Sequence, residues 1–177
     1  MTETTTISRE KKSMGCFIAF ISIFYLVGFG MLGYGLYSMQ RSTAAGSWPI
    51  TAGTLQKVKL EENRDSEGDT YRVDVKYSYK VAGKEYDGDC LAFGYTASSG
   101  REIHEQIQQK LQAVKTLDVR YDPSDPAISC LSYGIHRSIQ FTLAFAVTWL
   151  AFVVGFTLIA WVASLEDTVL LNNLSIR

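Results

Sequence analysis

Four aspartates in the polar middle of the chain, Asp87, Asp89, Asp122 and Asp125, are the residues best suited to chemistry. If the segment carrying Asp87 adjoins the one carrying Asp122, the four carboxylates converge. They could then hold a calcium ion through oxygen ligands, or divide into a general acid and a general base. No EF-hand spacing accompanies them, and turn chemistry with solvation is the alternative. Cys90 and Cys130 could form a disulfide in an oxidising compartment. Closing that loop of about 40 residues would contribute on the order of 3–4 kcal/mol. The alternative is two buried free thiols. Cys16 lies far from both in sequence. His104 and His136 stand at no metal-ligand spacing with a cysteine or with each other, so no zinc site and no other cofactor is expected. His104, one residue past an apolar helix position, is expected to face water. No Gly-x-Ser-x-Gly and no phosphate-binding loop occurs. Gly28-x-Gly30-x-x-Gly33 matches a dinucleotide string, but it falls in an apolar run where that reading fails.

The elements that position these residues are set by two apolar stretches, 16–38 and 139–163. Neither contains Asp, Glu, Lys or Arg. Each reaches the ~20 residues needed to cross a hydrocarbon layer about 30 Å thick as a helix. The chain therefore reads as a membrane protein: two transmembrane helices flanking a small α+β domain at 42–135. Tails at 1–15 and 164–177 complete it. The first apolar run is longer than a cleavable signal core, so it reads as a signal-anchor. Arg9, Lys11 and Lys12 precede it, against only Arg41 and Arg137 on the loop side. Both termini are thus expected in the cytoplasm and the central domain outside.

Within the first span Gly28, Gly30, Gly33 and Gly35 make a thin half-helix where a neighbour can approach closely. The second span offers Ala151 and Gly155 four residues apart, and Trp149 near its middle. In an antiparallel pair Trp149 falls level with Gly28. Its indole then either packs on the glycine-rich face or faces lipid. Tyr34, Tyr37, Trp48 and Tyr133 are expected at one membrane interface and Trp161 at the other. With no ionisable residue in either span, a self-sufficient transporter or channel is not expected.

In the central segment Tyr71 to Val81 alternates apolar and polar residues, which predicts a half-buried strand. Ala82-Gly83-Lys84 predicts a turn into a second strand, about Glu85 to Phe93. An earlier strand, about Thr51 to Leu60, is followed by a charged loop, Asn63 to Asp69. Ser99 to Glu102 fits a capping box. Ile103, Ile107, Leu111 and Val114 then mark the apolar face of a helix. Short strands at Leu117 to Tyr121 and Ala127 to Leu131 complete an antiparallel sheet of four or five strands with one helix. The segment carries 11 Lys/Arg against 14 Asp/Glu, a net charge of −3, which offers nothing to nucleic acid.

Trp48-Pro49-x-x-x-Gly53, Tyr77-x-Tyr79-x-Val81-x-Gly83-x-x-Tyr86-x-Gly88 and Tyr121-Asp122-Pro123-x-x-Pro126 follow one another across the domain. Together they resemble a widespread bacterial family of small membrane proteins with a β-rich domain of unknown function. The resemblance covers Trp48 to Leu131. It implies a bacterial inner-membrane protein and carries over no catalytic residue. A non-enzymatic membrane protein follows as the expectation: the bilayer as one partner, and another envelope protein or a second copy as the other. A compact immunity protein against a membrane-acting toxin is an alternative, as is an anchored enzyme using the four aspartates.

Overall fold

The computed structural model describes the backbone of residues 3–66, 68–165 and 168–173. Side chains are described for residues 15, 17–66, 68–165, 168–169 and 172–173, so Cys16 and most of both expected tails lie outside them. The elements run α1 (Glu3–Ala44), a 3-10 turn (Ala45–Ser47), β1 (Ile50–Asp65), β2 (Gly68–Val81), β3 (Lys84–Gly88), α2 (Arg101–Gln112), β4 (Thr116–Asp122), β5 (Asp125–Cys130), α3 (Arg137–Ala163) and α4 (Thr168–Asn172). Two long apolar helices thus flank an antiparallel five-stranded sheet of order β3-β2-β1-β4-β5, with one helix between. Among the described residues, those up to 32 together with those from 144 onward form one compact unit, and those of 33–143 the other.

In the first unit the apolar helices are long enough to cross a membrane, and only 11% of each apolar window is buried. The core helix of a soluble protein would be mostly covered; these expose Leu26, Phe29, Phe152 and Ile159. Their contact has a repeat of seven. Ile21 and Gly28 are buried along α1 and Ala146 and Val153 along α3, and within the second unit the same spacing continues through Gly35 and Ser42 on α1 and Ile139 on α3. Seven residues make nearly two helical turns, so one seam faces the partner. A Cβ built on Gly28 would stand 2.5 Å from Leu150 Cδ2 and 2.9 Å from Trp149 Cδ1. Trp149 donates Nε1–H to the Phe24 carbonyl at 3.0 Å and stacks on the Phe24 ring. Gly30, Gly33 and Gly155 have no neighbour within 4 Å at that position, and Ala151 is exposed. Only the glycines at heptad spacing therefore pack.

In the second unit β2 shows the alternation expected of it. Tyr71, Val73, Val75, Tyr77 and Tyr79 are buried and the residues between them are not. Ala82 and Gly83 both adopt positive φ, the geometry of a two-residue turn whose twist suits a hairpin, and β3 pairs back on β2. The charged segment expected as a loop is instead the end of a long ribbon. β1 and β2 stay in register out to Asp65 opposite Gly68. Polarity there does not break the strands, because both faces of a projecting ribbon are wet.

The sheet curls so that its two edges approach. A Cβ on Gly88, at the end of β3, would run into the Tyr77 ring and lie 2.8 Å from Ser129 Oγ on β5. Tyr77 shares a 3.0 Å hydrogen bond with Ser129, and Tyr79 donates to the Pro126 carbonyl at 2.5 Å. Val75, Tyr77, Tyr79, Leu117 and Val119 form the core, with Leu111 of α2 against it.

Where α1 ends, Arg120 of β4 donates from Nη1 to the carbonyls of Gly46 (3.1 Å), Trp48 (3.3 Å) and Ala45 (3.4 Å). Its guanidinium lies over the Tyr133 ring, 4.2 Å from the centroid. Arg41 pairs with Asp122 at 2.7 Å. Trp48, expected at a membrane interface, is buried against Ala45, Cys130 and Phe93.

Gly28→Val should therefore destabilise the full chain in detergent by about 1–3 kcal/mol through overpacking. Gly30→Val, with open space at its Cβ, should leave the thermal midpoint near that of the parent. Gly88→Ala, which drives a methyl into the Tyr77 ring, should cost a similar 1–3 kcal/mol in a denaturant melt.

Candidate functional site

The four aspartates are not brought into one site. Asp122 accepts from Arg41 and from the Ser124 amide at 2.9 Å. The Ser124 amide first, and Arg41 with it, hold this carboxyl below the usual carboxylate range against the opposing effect of burial. Asp125 accepts the Ala127 N–H at 3.2 Å, closing its own turn. Asp87 accepts from Gln56 at 3.3 Å on the opposite edge strand. Asp89 lines a cleft of about 320 Å3 with Lys57, Arg72, Asp74, Cys90 and Tyr95. Arg72 in that cleft is already paired with Asp74 at 2.7 Å and Glu61 at 3.6 Å. Among the described residues no three His, Cys, Asp or Glu side chains gather as a metal site.

Of the two alternatives for Cys90 and Cys130, a disulfide or two buried thiols, the structure holds free thiols. Cys130 is fully buried against Ala45 and Trp48, with Cys90 half-buried in the same cluster. Burial pushes the Cys90 thiol up to about 12 and the Cys130 thiol up to about 11. Both are protonated at neutral pH, which suits packing and not nucleophilic attack.

His104 is the residue that the sequence reading misplaced. It is 3% exposed, while Ile103 beside it is 53% exposed. The helix turns its 104, 107 and 111 side inward, and no capping bond forms at its N-terminus, where Gly100 stands. His104 Nδ1 lies 2.6 Å from Tyr95 Oη, and Nε2 lies 2.8 Å from Ser98 Oγ. Tyr95 Oη also accepts the Val73 N–H at 3.0 Å, so both ring nitrogens and the phenol are engaged whichever imidazole nitrogen carries the hydrogen. The arrangement is a clamp. It ties α2 to the segment after β3, where Ser98 exchanges backbone bonds of 2.8 and 3.1 Å with Tyr71.

A third arrangement is left by the sheet topology. β4 covers the outer edge of β1 only from Ile50 to Thr54, and a last bond joins the Leu55 amide to the Lys115 carbonyl at 3.1 Å. Beyond a bulge between Leu55 and Lys57, β1 pairs with β2 on one side alone. Among the described residues, no backbone group of 57–64 bonds outside that ladder. Nothing in the alternation pattern marked this edge, because it depends on where β4 stops.

A family model described as Domain of unknown function (DUF3592) matches residues 51–136. That interval runs from the second residue of β1 to the residue before α3. Comparison with curated proteins and with solved structures gave no match.

Burial holds His104 below its ordinary value of 6.5. The unfolded chain therefore takes up a proton near pH 6.5 that the folded chain resists. The contribution of the neutral clamp is fully present above that pH and is lost progressively as pH falls below it. Thermal melts between pH 8 and 5 should show this slope, and His104→Gln should flatten it.

Proposed function

We propose that this chain is a non-enzymatic integral membrane protein whose β-rich domain binds another polypeptide, as an accessory or stabilising subunit of a membrane complex. The open edge of β1 carries the reading. Along residues 57–64 alternate residues, whose amides and carbonyls point away from β2, offer unpaired groups in extended form, which is the template for adding a strand. The exposed apolar flanks of α1 and α3 suit lipid contact. Basic residues before the first span favour cytoplasmic termini and an extracytoplasmic domain in the bacterial inner membrane. The aspartates favour this over an anchored enzyme, since Asp122 and Asp125 hold turns and an ion pair.

A tagged full-length chain, drawn from native membranes in mild detergent, should retain a stoichiometric polypeptide identified by mass spectrometry, whether another protein or an untagged second copy. Recovery of a lone monomer would overturn the reading. Replacing Asp87 and Asp89 by Asn should leave the retained polypeptide unchanged.

A further inference from the structure

The open edge has a charge order that selects its own partner. Along one face of β1 lie Lys57, Lys59 and Glu61; along the other lie Val58, Leu60 and Glu62, beside Val75, Val73 and Tyr71 of β2. Charged side chains ordinarily guard a free edge against association. Here one antiparallel register makes them complementary. When an edge pairs with a copy of itself, residues directly opposite are related by a two-fold axis through one residue. Centring on Val58 sets Lys57 against Lys59, and centring on Lys59, Glu61 or Glu62 sets that residue against itself. Centring on Asn63 opposes Glu61 and Asp65. Centring on Leu60 opposes no like charges. It sets Lys59 against Glu61 twice, Lys57 against Asn63, and Leu60 against Leu60 on the face shared with Val73. Like charges directly opposite destabilise a strand pair and unlike charges support it. Lys59 meets Glu61 of its own strand only at 3.9 Å and Glu61 meets Arg72 only at 3.6 Å, all three side chains being exposed, so Lys59 and Glu61 can exchange these loose contacts for ones across the edge.

We infer that the occupant of this edge is a second copy of the chain, paired antiparallel through β1 about Leu60 into one ten-stranded sheet. This rests on the reading of the domain as an interaction module and names its partner. The full chain in detergent should run as a dimer by light scattering with detergent correction. Lys59→Glu and Glu61→Lys each place like charges opposite each other twice, and each should weaken the dimer roughly tenfold or more. The double variant Lys59→Glu/Glu61→Lys restores both pairs and should restore the dimer, a recovery that a folding defect would not produce. A dimer indifferent to the single reversals, or one that the double variant fails to recover, overturns the proposal. So does a monomeric parent chain. A monomer that still retains an unrelated stoichiometric protein from membranes defeats the second copy alone; one that retains nothing defeats the interaction reading as well.

Discussion

A helix that ends inside a folded unit leaves carbonyl oxygens with no amide to meet them. The end of α1 faces this constraint, because Ala45 is fully buried and Trp48 nearly so. The Gly134 N–H meets the Ser42 carbonyl and the Ser47 hydroxyl meets that of Ala44, and Arg120 secures the 3-10 turn that follows, with one nitrogen shared among the carbonyls of Ala45, Gly46 and Trp48 and its flat face on Tyr133. A lysine would bring charge without that planar stacking surface. The same arginine sits in the ladder opposite Ile50 on β1 and Cys130 on β5. The clasp on the turn after the helix thus also sets where the first strand begins and which strand lies beside it. Arg41 and Asp122 repeat the connection from the helix side, with the carboxylate 15% exposed.

Closure of the sheet depends on hydroxyls more than on a ladder. β2 and β5 are not neighbours in strand order, yet Tyr77 and Tyr79 reach across to Ser129 and the Pro126 carbonyl. Tyr77 also donates to the Cys90 carbonyl at 3.1 Å. These rings supply buried apolar area while their oxygens satisfy groups that curling would otherwise strand. A phenylalanine in either place would fill the same space and leave an acceptor bare.

The parts legible in the sequence were those governed by local period. Alternation from Tyr71 to Val81 defined β2, and Ala82-Gly83 defined its turn, because both signals act within a few residues. The apolar runs defined α1 and α3 by length alone. Tertiary choices were less visible. Ile103 and His104 compete for one face of α2, and the apolar residue loses because Tyr95 and Ser98 offer the imidazole two partners. The four glycines of α1 read alike as one thin half-helix, while the contact follows a spacing of seven, and only the partner helix distinguishes Gly28 from Gly30. The carboxylates could be seen but not their neighbours: Arg41 is 81 positions from Asp122. The unpaired stretch of β1 is defined by the end of another strand, a fact that no window of sequence contains.

The seven-residue repeat along the helix contact has a mechanical consequence. Gly28 fits its place because Leu150 and Trp149 press into it, and the Trp149 indole is bonded to a fixed carbonyl. Sliding α1 along its axis by one turn would bring bulk where the groove was. The next position with the same small residue is Gly35, about 10.5 Å away at 1.5 Å per residue. That is roughly a third of the hydrocarbon thickness. The helix pair behaves as a notched rod: it resists piston displacement, and any relative movement it permits must be bending or rolling about the seam.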